Sequence, residues 1–302
     1  MPTALSKPPV FRFAPSPNGL LHLGHGYSAL LNQALAREAG GRLLLRIEDI
    51  DTARCRPEFE AAIYRDLAWL GIGWEEPVRR QSEHFGEYQQ ALQSLIDRGL
   101  AYPAFLSRAD VRAAVAASEA AGRPWPRDPD GAPLYPETER ELDPKTAAGW
   151  IAAGRQHAWR LHMDRALAAT DQALTWHEEG VGPEGESGIV PAAPGRWGDI
   201  VLSRSDAPSS YHLSVTLDDA LQGVTNIVRG QDLFHATSVH RPLQALLGLP
   251  EPIYRHHGLV LGPDGRKLSK SNGDTALATY RDEGLSPAGL RALFARDGLV
   301  LH

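Results

Sequence analysis

Apolar residues follow two rhythms along the first hundred positions. Val10-Phe-Arg-Phe-Ala14 and Leu43-Leu-Leu-Arg-Ile47 are short apolar runs, whereas Tyr27 to Ala39 repeats Ala and Leu at helical spacing. The turn cluster Pro15-Ser-Pro-Asn-Gly19 closes the first run, and Gly40-Gly41 ends the helical stretch. Strand, helix and strand in that order predict a βαβ unit and therefore a parallel sheet. Helices are predicted over Pro57–Leu70, with Pro57 in the first turn where its missing N–H costs nothing, and over Ser82–Arg98. From Ala101 to about Gly198 the pattern changes to an Ala-rich helix near Ser107–Ala121 set among Pro- and Gly-rich stretches, which reads as an inserted module with long loops. The α/β texture returns with predicted strands at Asp199–Leu202, Tyr211–Val215 and Thr225–Arg229, a helix over Leu233–Leu247 and a last strand at Gly258–Leu261. The tail after Ser271 has room for two or three helices and no further domain.

Composition sets bounds on that pattern. At 302 residues and 42% hydrophobic content the chain is an ordered protein of roughly two domains, at about 150 residues each. A single cysteine, Cys55, excludes a disulfide framework and any Cys-rich metal site. Neither a signal-like apolar run nor a membrane-length stretch occurs, so a cytoplasmic protein is expected, and nothing in the sequence calls for more than a monomer. With a net charge of -6, nucleic-acid binding would need a local basic surface. Arg37, Arg42, Arg54 and Arg56 are the candidates for it.

Two clusters could carry chemistry. His22-Leu-Gly-His25 puts two imidazoles on one face of a helix start, where free N–H groups and the helix dipole attract phosphate, and Gly24 lets a flat base or sugar approach the backbone. Lys267-Leu-Ser-Lys-Ser271 puts two ammonium groups on a Gly/Pro/Asp turn after a strand. Either cluster alone is equally compatible with a solvated surface. Neither a P-loop nor a G-x-G-x-x-G turn is present.

Taken together, the Pro-x-Pro-x-Gly-x-x-His-x-Gly-His string and the later Lys-Leu-Ser-Lys-Ser loop resemble the paired HIGH and KMSKS signatures of class I aminoacyl-tRNA synthetases. Phe11-Arg-Phe-Ala-Pro-Ser-Pro-Asn-Gly19, Arg46-Ile-Glu-Asp-Ile-Asp51, Tyr211-His-Leu-Ser-Val-Thr-Leu-Asp-Asp219 and Ile227-Val-Arg-Gly-Gln-Asp232 look like the glutamyl subgroup. Only a short tail follows the second signature, which resembles the truncated glutamyl-queuosine branch rather than relatives with an anticodon-binding region.

This resemblance implies a Rossmann-like parallel-sheet catalytic domain of the class I synthetase type with an inserted α/β module and a short helical C-terminal tail. The expected division is 1–100 and 199–257 for the two catalytic halves, 101–198 for the insert and 258–302 for the KMSKS-like loop and stem-contact region. It further implies that L-glutamate is activated with ATP and Mg²⁺, without tRNA, and then esterified to the cyclopentene-diol of queuosine in the anticodon of tRNA(Asp). Charging of a tRNA 3' end, and a non-catalytic tRNA-binding relic, remain open alternatives. By the same resemblance His22, His25, Lys267 and Lys270 are catalytic, and His22, Gly24, His25 and Lys270 contact ATP. Glu48 takes the α-ammonium of glutamate, Arg12 with Tyr211 the side-chain carboxylate and Arg229 the other carboxylate, while Ser16 and the Ala14 backbone complete the pocket. His212 is read as packing or polar support, and His256 and His257 as structural.

The chain departs from many relatives at their zinc site. Ala104 and Leu106 stand where two cysteines are expected, and Glu139, after Tyr135, stands at the last ligand. Four ligands cannot be assembled, so a zinc-free insert held by apolar residues around Trp125 and Trp159 is expected.

Overall fold

The computed structural model describes residues 7–170, 173–262, 266, 275–296, 298–299 and 301. A seven-stranded sheet organises the molecule. It contains β1 (Val10–Phe13), β2 (Arg42–Ile47), β3 (Glu75–Arg80), β6 (Thr175–Glu178), β7 (Gly188–Pro191), β9 (Asn226–Gly230) and β10 (Ile253–His257), in the order β3-β2-β1-β9-β10-β6-β7. Every pairing is parallel except β6 with β7. Helix α1 (Leu23–Glu38) connects β1 to β2 as the predicted crossover. The next strand beside β1 on its other side is β9, so β1 marks the point where strand order reverses, and a crevice opens at the C-terminal ends of β1 and β9.

The sheet's two faces differ in kind. On the α1 side Phe11, Phe13, Leu43, Leu45, Ile47 and Val228 join one large apolar cluster with α1, α2 (Pro57–Trp69), α9 (Leu277–Asp282) and α10 (Pro287–Arg296). On the other face Val10, Leu44, Trp176, Ile227 and Tyr254 form a second cluster. Two residues further along each of those five strands stands a polar or charged side chain: Arg12, Arg46, Glu178, Arg229 and His256. Because strand side chains alternate with period two, an apolar layer gives way in one step to an ionisable layer nearer the C-terminal ends. Helices α7 (Tyr211–Leu221) and α8 (Thr237–Leu247) pack against each other, and their buried residues Leu213, Val239 and Leu243 join a third cluster. All five polar residues are buried, so they survive only as partners of one another or of a ligand.

A smaller antiparallel sheet holds β4 (Ala101–Ala104), β5 (Ala158–Leu161) and β8 (Val201–Arg204). Helices α3 (Phe85–Asp97), α4 (Arg108–Ala120), α5 (Pro144–Ala152) and α6 (Met163–Ala168) complete the chain. The segment 101–198 is interleaved with the rest: β6 and β7 extend the large sheet, and β8 lends the small sheet its third strand. Among the described residues no helix is long and apolar enough to cross a membrane.

Two predicted strands are placed differently. Tyr211–Val215 begins helix α7, started by Ser210, whose hydroxyl accepts from the Leu213 N–H; an apolar run this short does not itself distinguish a buried helix from a strand. The last strand lies at Ile253–His257, five residues before the apolar run Gly258–Leu261. Its inward positions are Tyr254 and His256, and the histidine conceals the alternation from a hydrophobicity pattern.

Candidate functional site

The crevice at the reversal point is a cleft of about 400 Å³. Arg12, Ala14, Ser16, His22, Gly24, His25, Glu48, Tyr211 and Arg229 all line it. Nine residues expected to act together, spread from position 12 to position 229, therefore share one cavity. Lys267 and Lys270 lie outside the described residues. Asp232 and His257 also line the cleft.

Helix α1 starts in the cleft. Its N-cap is His22, whose Nδ1 accepts the Gly24 N–H at 3.1 Å, while Nδ1 of His25 accepts the His22 N–H at 3.3 Å. Both rings therefore use Nδ1 as acceptor, which in the neutral tautomer leaves Nε2–H as donor. The rings lie 3.8 Å apart between centroids, so their two Nε2 atoms form a compact set of donors at the positive end of the helix dipole. A Cβ at Gly24 would approach the His22 ring to 3.0 Å, so any larger residue displaces a capping imidazole.

The carboxylates and guanidiniums fall into two groups. In the first, Arg12 Nε donates to Asp219 at 3.1 Å, Arg46 donates to Asp219 at 2.8 Å and to Glu48 at 3.0 Å, and Asp218 receives Arg79, Gln81 and Tyr88. Burial pushes the Asp219 carboxyl up, but Arg12 and Arg46 outweigh it and hold it below the usual carboxylate range. Glu48 moves the other way: burial raises its pKa despite Arg46 and Arg12, which marks a carboxylate short of positive charge. A substrate ammonium would supply that charge.

Arg229 forms the second group, and no carboxylate comes within ion-pair distance of it among the described residues. Its donors go to His256 Nε2 at 3.1 Å, the Tyr211 hydroxyl at 3.4 Å, the Leu233 carbonyl at 3.2 Å and Thr237 Oγ1 at 2.8 Å. His212 and His240, 3.3 Å apart, sit alongside, and His212 is pushed down to about 4 by burial and by Arg229, so the neighbourhood stays neutral. A guanidinium that is only 5% exposed and surrounded by neutral groups at the edge of a cleft attracts an anion.

Sequence patterning did not single out Arg46, Asp219, Glu178 or His256 as parts of this site. The signal available was a charged residue inside a strand, at Arg46 and His256, which an apolar-run criterion passes over. Three of the four arginines expected to form a basic surface lie in two separate places. Arg37 and Arg42 share a shallow pocket beside Glu75, with Arg42 ion-paired to it, whereas Arg54 pairs with Asp51 at the mouth of a different cavity.

The zinc position was tested against the donors present. Glu139 accepts the Phe105 N–H at 2.8 Å and the Leu106 N–H at 3.2 Å, and Tyr135 donates its hydroxyl to Glu139. Tyr102, Ala104 and Tyr135, with Leu106 and Val111, form a small apolar cluster there. These groups do not fit a metal: two offer only methyl-bearing side chains and the carboxylate is occupied by backbone donors. Trp159 packs on the cluster beside α8, while Trp125 instead donates its indole N–H to the Leu134 carbonyl.

With the geometry in place, comparison with known proteins decides the family. Residues 10–302 match the family of tRNA synthetases class I (E and Q), catalytic domain. The chain belongs to that family. It is 48% identical, over 94% of its length and 99% of the relative's, to a glutamyl-Q tRNA(Asp) synthetase of Rhodobacter capsulatus. It is 35% identical to a glutamate–tRNA ligase of a Synechococcus strain, of which it spans 56%. Among solved structures it matches a glutamate–tRNA synthetase from Elizabethkingia anophelis with a TM-score of 0.75 and 27% identity, over 93% of this chain and 60% of the other. Membership makes this synthetase-type chain a ligase with a Rossmann-like α/β catalytic domain, of a class that uses ATP.

Proposed function

We propose that this class I synthetase activates L-glutamate with ATP and transfers it to the cyclopentene-diol of queuosine in the anticodon of tRNA(Asp). The observation that carries the glutamate step is Arg229, a buried cation without a carboxylate partner among the described residues, in one cleft with Glu48, a buried carboxylate short of positive charge. Glutamate supplies what each lacks: a carboxylate for Arg229 and an ammonium for Glu48. Arg12, with its Nε turned to Asp219, and Tyr211 then meet the second carboxylate, with Ser16 and the Ala14 backbone beside it. Glutamine would leave a guanidinium unpaired and is rejected.

In the first step a carboxylate oxygen of the glutamate α-carboxylate attacks the α-phosphorus of ATP. A new P–O bond forms, the bond to the β-phosphate bridging oxygen breaks, and pyrophosphate leaves with both bonding electrons. His22 and His25 donate from Nε2 to phosphate or ribose oxygens at the start of α1, and Lys267 and Lys270 neutralise the leaving group. Catalysis is positioning plus charge stabilisation, and no covalent enzyme intermediate is required. Mg²⁺ accompanies the nucleotide, held by phosphates and water.

In the second step an acceptor hydroxyl attacks the activated carbonyl carbon and AMP leaves. A second cavity of about 770 Å³ meets the first at Ser16, Asn18, Glu48 and Tyr211 and extends toward the small sheet. Arg54, Arg108, Arg112, Arg160 and Arg204 line it, as expected for a path followed by a phosphate backbone. Trp197 Nε1, also in its wall, is a buried donor without a hydrogen-bond partner among the described residues. Queuosine as the acceptor rests on the Rhodobacter capsulatus relative, matched over nearly its whole length. Glutamate-dependent ATP–pyrophosphate exchange in the absence of tRNA tests the activation step. Exchange with glutamate and none with glutamine supports the reading, and no exchange with glutamate overturns it.

A further inference from the structure

Glu178 lies behind the cleft, 1% exposed, at the end of β6, with β10 between it and the strand that carries Arg229. Its carboxylate accepts four hydrogen bonds. Oε1 takes the backbone N–H of Gly180 at 2.9 Å and of His256 at 2.8 Å; Oε2 takes the Trp176 indole N–H at 3.3 Å and Nδ1 of His256 at 2.6 Å. Gly180 is required for this wrap, since a Cβ there would lie 2.2 Å from the His256 carbonyl oxygen and 2.8 Å from Glu178 Oε1. A buried group meeting four donors is an acceptor only, and burial is outweighed by these bonds, which hold Glu178 below the usual carboxylate range.

The consequence passes through one ring. Burial and Arg229, against the pull of Glu178, push His256 down to about 4, so the imidazole is neutral and carries one proton. Glu178 has no proton to give, so the ring proton sits on Nδ1 and the lone pair on Nε2. That lone pair accepts Arg229 Nε at 3.1 Å. Thr237 Oγ1, 3.5 Å from His256 Nε2, and Tyr254, stacked on the ring, fix its plane.

We infer that Glu178 is a positioning residue for amino-acid binding: by fixing the His256 tautomer it aims the Arg229 guanidinium at the substrate carboxylate. The inference rests on the proposal that Arg229 receives that carboxylate, and adds a residue that touches no substrate. Its chemistry is demanding because neutral substitution fails even when it is isosteric. In Glu178→Gln the amide NH₂ must replace one carboxylate oxygen. Facing Gly180 and His256 N–H it meets two donors; facing Nδ1 it drives the ring proton to Nε2, where it opposes Arg229 Nε–H. The second arrangement costs Arg229 its anchor directly, and the first sets two backbone donors against an amide NH₂ and so unseats the His256 backbone that carries the ring.

Steady-state ATP–pyrophosphate exchange on wild type, Glu178→Gln and Arg229→Ala, with ¹⁵N NMR of the histidine rings, tests this. Glu178→Gln is expected to raise the KM for glutamate about tenfold, the size of one charge-assisted hydrogen bond, while kcat and the KM for ATP stay near wild type. A merely structural loss would lower the active fraction, hence apparent kcat, and leave the glutamate KM in place. In wild type His256 is expected to show a protonated Nδ1 and an unprotonated Nε2 between about pH 5 and 8, a measurement that stands even if the variant folds poorly. A wild-type glutamate KM in Glu178→Gln, or a proton on Nε2 in the native protein, overturns the inference. An unchanged glutamate KM in Arg229→Ala instead removes the proposal beneath it, so the two failures are told apart.

Discussion

Arg229 and Arg12 are buried to the same degree and differ in what neutralises them. Arg12 shares Asp219 with Arg46, and its loss leaves a buried carboxylate with one partner fewer. Arg12→Ala is therefore expected to destabilise the fold by about 3 kcal/mol in denaturant titration, as for a broken buried pair, as well as weakening glutamate binding. Arg229→Ala removes a cation that no carboxylate pairs with among the described residues. It leaves neutral acceptors rather than a buried carboxylate unpaired, so its unfolding midpoint should fall less than that of Arg12→Ala while the KM for glutamate rises about a hundredfold, the KM for ATP being unchanged. Glu48 gives a pH signature. Because burial raises its pKa, it becomes protonated at a higher pH than an ordinary glutamate, and a neutral Glu48 cannot pair with an ammonium. Glutamate KM should be flat above that raised value and climb as pH falls through it; Glu48→Gln should show a high KM without this acid limb. The residues that line the cleft were legible in the sequence because they sit in short strings. Asp219, Arg46 and Glu178 were not, since pairing partners across strands are set by register and not by spacing along the chain.

At the level of elements, the site is built by one layer of side chains. Strands β1, β2, β6, β9 and β10 each carry an apolar residue followed two positions later by Arg, Arg, Glu, Arg and His. Strand alternation makes this layer inevitable once the sheet forms, and the layer also explains why β10 was placed too late from the sequence: its functional histidine occupies a core position. Helix α7 was misread because it is buried on most of its surface, leaving no polar stripe from which to infer a helical period. The first βαβ unit, by contrast, was legible, since α1 has turn residues on both sides and its strands are mostly apolar. In the small sheet, Glu139 takes over part of the work of holding the chain at Phe105 and Leu106. Glu139→Ala should lower unfolding stability by about 1–2 kcal/mol, through two backbone donors left without a partner, and added zinc should not restore it.

For the whole molecule, two cavities meet at Ser16, Asn18, Glu48 and Tyr211, and the proposed function assigns amino-acid activation to one and acceptor entry to the other. The chain spans 56% of the glutamate–tRNA ligase it resembles and nearly all of the glutamyl-Q relative, so its acceptor is where the two readings diverge. Charge across the protein does not reveal that acceptor, because the arginines proposed to meet the tRNA line a cavity within an acidic whole of net charge -6. Reversing Arg108 and Arg112 together should weaken tRNA binding and flatten its salt dependence while leaving pyrophosphate exchange intact. The most direct test is transfer of labelled glutamate onto queuosine-containing tRNA(Asp), onto the same tRNA lacking the modified base, and onto tRNA(Glu). Label on the first alone is the predicted result; label on the 3' end of tRNA(Glu), or equal label on both forms of tRNA(Asp), contradicts it.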